Sequence, residues 1–166
     1  MSKRRVVITG LGIVCPVGNN VSDAWKNIIN GVSGIAPLDN IDTELQAVKF
    51  GGAVKDFDVS QYLSPKEAKK MDVFIHYGMA AGIQAFEDSG LEVTESNAEK
   101  IGVAIGAGIG GLTTIEKTAD LFREKGPKRI SPFFVPSSII NMVSGNMSIK
   151  YGLKGPNFAI VTACTT

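Results

Sequence analysis

The chain has 166 residues, 44% of them hydrophobic and 20% charged, with 17 Lys and Arg against 16 Asp and Glu. That length allows one domain with a real core. The net charge of +1 argues against a dedicated nucleic-acid binder, whose footprint is strongly basic. No apolar run of about 18 residues exists, so no membrane-spanning helix is expected.

Met1-Ser2-Lys3-Arg4-Arg5 is basic, but the next dozen or so residues are broken by Thr9, Gly10, Gly12 and Pro16 and lack a clear cleavage site. No secretory signal is read there. With only Cys15 and Cys164, a reducing cytoplasm and free thiols are the expectation. The 19 glycines cluster between apolar runs, which points to backbone geometry and not to disorder.

Residues 6–9 (Val-Val-Ile-Thr) read as a buried strand ended by Gly10-Leu11-Gly12, with a loop at 15–18. Asn20 or Ser22 caps a helix running to about Asn30, with Gly31 at its end. Residues 32–48 show no sustained period and are placed on the surface, and 50–54 suit a short strand. Ser64-Pro65-Lys66-Glu67 is a strong helix start, with a capping Ser, Pro at the first position and Glu three after the cap. That helix, or a pair broken near Asp72, continues to Ser89. It is apolar on nearly every face from 73 to 86, so burial from several sides is expected. Residues 101–105 make the next strand and 106–111 a glycine loop. A helix over 112–125 ends at Gly126-Pro127. Residues 131–136 are too proline-punctuated for a regular element, and 137–151 form another helix. Phe158-Ala159-Ile160-Val161 reads as a strand buried on both faces. Alternating strands and helices imply an α/β fold with a mixed, mostly parallel sheet covered by helices.

The last strand runs into Thr162-Ala163-Cys164. A corner between strand and helix lifts a thiol clear of the backbone, and the N-terminus of a following helix favours a thiolate there. On the residues alone, a buried structural thiol stays open. The glycines at 106, 108 and 111 fit G-x-G-x-x-G after a strand and before a helix, but no acid or strand occupies 126–133. A dinucleotide site wants an acidic residue roughly 20 positions on. The glycines then serve close packing, a tight turn or the wall of a narrow ligand channel. His76, the only histidine, reads as a satisfied core or interface residue and offers no metal site in any recognised spacing. Lys66, Lys69 and Lys70 line one helix, and Lys128 and Arg129 flank a loop. From spacing alone they are a solvated face.

Several segments together carry a specific resemblance. They are Arg4-Arg5-Val6-Val7-Ile8-Thr9-Gly10-Leu11-Gly12, Lys70-Met71-Asp72, and Gly106-Ala107-Gly108-Ile109-Gly110-Gly111. Further on come Ser131-Pro132-Phe133-Phe134-Val135-Pro136-Ser137, Tyr151-Gly152-Leu153-Lys154-Gly155-Pro156, and Thr162-Ala163-Cys164. Over essentially its whole length the chain resembles the N-terminal part of the β-ketoacyl-[acyl-carrier-protein] synthases, most closely the type II elongating enzymes.

The resemblance implies a thiolase-like α-β-α-β-α layered fold, of which residues 1–166 are the first half, ending just past the nucleophile with the second half absent. It implies that Cys164 takes an acyl chain from acyl carrier protein as a thioester in fatty-acid biosynthesis. Malonyl-carrier protein is then decarboxylated, and the carbanion extends the chain by two carbons. Ile109 matches the residue that gates the acyl pocket, with Gly108, Ala163 and Phe134 nearby, Phe134 coming from the partner subunit of a homodimer. Lys66, Lys69, Lys70, Lys128 and Arg129 match the surface that meets the acidic carrier protein. No cofactor, metal, nucleic acid or membrane is implied. The family's two catalytic histidines, lysine and oxyanion amide have no match among these residues, so the chain alone is expected to be inactive. Thr166 stands where Ser is common. A non-condensing chain-length-factor-like partner and a polyketide ketosynthase are the rival readings within the fold; a nucleotide-binding module is the remote one.

Overall fold

Side-chain caps set the starts of the first two helices. The computed structural model describes residues 3–39 and 41–166; Met1 and Ser2 of the basic start, and Asn40 of the surface stretch, lie outside the described residues. Helix α1 is Val21–Ile29. Of the two candidate caps, Asn20 is the one used. Its Oδ1 accepts the Asp23 N–H at 2.8 Å, and its Nδ2 donates to the Asp23 carboxylate at 2.7 Å. Strand β1 (Ala36–Pro37) pairs antiparallel with β2 (Phe50–Gly51), so the aperiodic stretch holds a short strand that the sequence did not signal.

Helix α2 is Pro65–Ala68 and α3 is Val73–Asp88, the pair broken at Asp72. The reciprocal cap of α2 is present: Ser64 Oγ accepts the Glu67 N–H, and Glu67 accepts the Ser64 N–H at 2.9 Å. Strand β3 (Val103–Ala104) precedes α4 (Leu112–Lys125), which stops at Gly126 with φ +73. Helices α5 (Phe134–Ser138) and α6 (Met142–Tyr151) follow, then β4 (Asn157–Phe158). No residue from 74 to 86 on α3 is exposed, in keeping with an apolar helix enclosed on several sides. No helix among the described residues is long and apolar enough to cross a membrane.

The chain divides into two compact units. The first holds residues up to Asp58 together with Ala80–Leu91, the second half of α3. Here the strand expected at 6–9 does not form: the segment pairs with nothing, and Val6 and Ile8 are 90% and 82% exposed. The cause is what the chain runs against. Gly10 and Gly12 lie directly on α3, where a β-carbon on either would collide with the Ala85 or Ala81 carbonyl oxygen. Leu11 N–H donates to the Asp88 carboxylate at 2.8 Å and Ile13 N–H to Gln84 Oε1 at 3.3 Å. Helix side chains satisfy these amides, and a helix offers no ladder for a strand to join.

The second unit holds Val59–Met79 and Glu92–Thr166. Its core is built on Ile75 and Met79 of α3 with Val143 and Met147 of α6. Strands β3 and β4 pair in parallel, Val103 opposite Asn157 and Ala104 opposite Phe158. The ladder is shorter than the sequence suggests, and Ile160 and Val161 are exposed. The helices near 131–151 differ from the expectation in two ways. Proline does not prevent α5, because Pro136 falls in its first turn, where an N–H has no helical acceptor anyway. The helix expected over 137–151 is interrupted at Ile139, whose φ −79 and ψ 144 are extended. The Ser137 and Ser138 hydroxyls both donate to the Phe134 carbonyl, and the following Ile139-Ile140 pair is β-branched. Both features weaken helical continuation.

Candidate active site

Cys164 stands in a 3-10 turn, Ala163–Thr165, a few residues past β4. Its side chain is exposed and its thiol free. The residue before it, Ala163, has φ +52, a left-handed conformation that a non-glycine residue adopts at a cost of about 1–3 kcal/mol. Threonines hold the turn. Thr162 N–H donates to Thr166 Oγ1 at 2.9 Å, and Thr165 Oγ1 donates to the Thr162 carbonyl at 2.8 Å. The hydroxyl of Thr166 is one that serine also carries, so this departure from the family pattern keeps the bond.

The glycine loop lies against this turn. A β-carbon on Gly106 would stand 2.6 Å from the Ile160 carbonyl oxygen and would strike the Thr166 methyl, and one on Gly108 would stand 3.5 Å from the Ala163 carbonyl oxygen. Glycine at 106 is therefore a packing requirement. The loop also walls an open cavity of about 460 Å³, lined by Gly108, Ile109, Phe74, Tyr77, Gly78 and Val143 among others. The lining is mostly apolar. Ile109 is 68% exposed on this wall. Thus Cys164, Ala163, Gly108 and Ile109 gather in one region, although neither Cys164 nor Ala163 lines the cavity itself. Phe134 does not join them in this chain; it sits half-buried on α5.

Asp72 enters the sequence reading only as a helix break and as part of a motif. It is 5% exposed, and its carboxylate accepts the Thr114 N–H at 2.7 Å and the Phe74 N–H at 3.2 Å. One anion thus sits at the first turns of α3 and α4, where unpaired amides favour negative charge. The signal was available: an Asp directly before an apolar helix is a capping residue. The same contact weighs against the nucleotide reading. The N-terminus after the glycine loop, where a phosphate would bind, is already occupied by a carboxylate.

The basic residues differ among themselves. Lys66 and Lys69 are exposed, as are Lys128 and Arg129 on the turn Pro127–Arg129. Lys70 is half-buried, with its ammonium 4.7 Å from the Phe133 ring centroid, a cation–π contact. His76 is half-buried and bonds through Nε2 to the Ala68 carbonyl at 3.0 Å, a satisfied structural histidine. Ser64 holds the Glu67 carboxyl below its ordinary value of 4.5, by bonds from its hydroxyl and then its N–H.

Residues 3–166 match the profile of the family described as Beta-ketoacyl synthase, N-terminal domain. The chain belongs to this family. It is 60% identical, over all 166 residues, to a 3-oxoacyl-[acyl-carrier-protein] synthase 2 of Vibrio cholerae serotype O1, and covers 40% of that protein. Among solved structures it is similar to the ishigamide ketosynthase/chain length factor, with a TM-score of 0.83 at 23% identity, covering 97% of this chain and 40% of the other. It is also similar to a type II polyketide ketosynthase in complex with its acyl-carrier protein, at TM-score 0.72 and 25% identity, covering 92% of this chain and 41% of the other. The fold is thus the thiolase-like α/β fold of the ketosynthases. The chain spans about 40% of the length of the curated relatives it matches.

Proposed function

We propose that this chain carries the nucleophile of an elongating β-ketoacyl-[acyl-carrier-protein] synthase. In this reading the Cys164 thiolate attacks an acyl thioester on the carrier protein, the carrier thiol leaves, and the acyl group stays on Cys164. Malonyl-carrier protein then loses CO₂, and its carbanion attacks the Cys164 thioester to give β-ketoacyl-carrier protein and regenerate the thiol. The single observation that carries the proposal is the packing of the Ile109 loop, with its apolar cavity, against the turn of an exposed Cys164. An acyl chain needs a nucleophile at its head and an apolar wall along its tail. The names of the relatives support the same chemistry.

Lys66, Lys69, Lys128 and Arg129 are the proposed docking charges for acidic carrier protein. Lys70, drawn over Phe133, is the weakest of the set. Phe134 reaches the acyl pocket in this reading only from the partner subunit of a homodimer. The chain-length-factor reading, favoured by the name of one structural neighbour, loses to the presence of a thiol at the site. The test is product formation from acyl- and malonyl-carrier protein by the full-length protein. Wild type is expected to make β-ketoacyl product and Cys164→Ala none. Undiminished product from the variant would overturn the proposal. A polypeptide of residues 1–166 alone is expected to make no product, for want of the histidines that the condensation step uses.

A further inference from the structure

We infer that Asp72 is a positioning residue for acyl transfer: its carboxylate moors the far end of the glycine loop and so keeps Ile109 and the cavity wall in register with Cys164. The inference rests on the acyl-transfer reading above. The near end of the loop is fixed by close packing, because Gly106 lies on Ile160 and Thr166. The far end is fixed by hydrogen bonds. Gly111 N–H donates to the Ser138 carbonyl at 2.9 Å, and three residues on Thr114 N–H donates to Asp72 at 2.7 Å. Asp72 N–H donates in turn to the Ser137 carbonyl at 3.3 Å, tying the same carboxylate residue to α5.

Space there is as tight as at the near end. A β-carbon on Gly111 would stand 3.2 Å from that of Asp72 and 2.7 Å from the Ser138 α-carbon. Between the two moorings lies Gly110, with φ +92, and next to it the exposed Ile109. Gly110 too lies close on the Ser138 carbonyl, so Ile109 is the exposed residue that the packing on either side of it holds in place. Among the described residues no Lys or Arg stands within salt-bridge distance of Asp72. Its acceptors serve the amides of two helix starts, an arrangement that one carboxylate satisfies and an amide cannot. In Asp72→Asn one oxygen still accepts, while the new NH₂ faces the N–H it replaced an acceptor for.

The consequence depends on chain length. A short acyl group ends at the thiol and needs little of the wall, whereas a long one needs the wall in place. The test uses the full-length protein and loads Cys164 from acetyl and dodecanoyl thioesters of pantetheine, followed by intact mass. Asp72→Asn is expected to slow dodecanoyl loading at least tenfold and acetyl loading less than threefold. Leu63→Ala, a buried residue away from the loop, serves as a control for simple destabilisation and is expected to change both alike. Equal effects of Asp72→Asn on both chain lengths would overturn the inference and leave the acyl-transfer reading intact. Failure of wild type to load either thioester would overturn both. If the variant does not fold, hydrogen exchange on wild type decides: slow exchange at the Thr114 amide is expected, and fast exchange in the folded protein would overturn the mooring.

Discussion

Gly106 and Ile160 approach so closely that a single added methyl at 106 would stand 2.6 Å from the Ile160 carbonyl oxygen. This contact joins the glycine loop to the segment that carries Cys164. Gly106→Ala must therefore push one backbone away from the other. Overpacking of this kind costs about 1–3 kcal/mol. Chemical denaturation is expected to show that loss, together with altered alkylation of Cys164. A variant with wild-type midpoint and wild-type thiol kinetics would mean that the two segments are free to part.

The two thiols should respond differently to iodoacetamide. Cys164 is exposed, whereas Cys15 is half-buried in a turn closed by paired backbone bonds to Gly18, 2.9 and 3.1 Å long. Access favours Cys164. Peptide mapping after brief treatment of the full-length protein is expected to find Cys164 modified well before Cys15. The reverse order would remove the case for a presented nucleophile.

Much of this was legible in the sequence. Ser64 and Glu67 named their own cap and Gly126 its helix end, whereas Cys164 lies in a 3-10 turn where a corner between strand and helix was expected. What was not legible has a common cause. The apolar run at 6–9 looks like any strand, and only the α3 backbone beneath Gly10 and Gly12 shows that its neighbour is a helix. The left-handed φ of Ala163, whose carbonyl lies beside Gly108, carries no local signal either. Likewise Asp72 could be read as a cap for α3, but its second bond, to Thr114, spans 42 residues of chain. Local pattern does not encode such a partner.

The start of α2 should be sensitive to acid. Ser64 lowers the Glu67 carboxyl from its ordinary value of 4.5, so the folded form prefers the charged state. A lowered carboxyl contributes stability above its unfolded value, and that contribution fades as pH falls through the folded one. Glu67 is an exposed group, so the effect is small and local. Carboxyl NMR titration is expected to put the Glu67 midpoint below 4.5 in the wild type and to return it towards that value in Ser64→Ala. An unmoved midpoint in the variant would contradict the reciprocal cap.

Charge reversal separates the docking lysines. Lys66→Glu and Lys69→Glu, at exposed positions, are each expected to weaken carrier-protein binding by about 1 kcal/mol, roughly fivefold, and more so at low salt. Lys70→Glu should weaken it less, because that ammonium is held on Phe133. Titration calorimetry at two salt concentrations measures this. Equal effects at all three lysines, or no dependence on salt, would count against a charged docking face.

The position at which an acyl chain becomes attached is decisive. Full-length protein incubated with acyl-carrier protein, then digested and mapped by mass spectrometry, reads that position directly. The expected result is one acyl group, labile to hydroxylamine, on the peptide that contains Cys164. An acyl group on Cys15 or on any other side chain, with Cys164 still free, would contradict it.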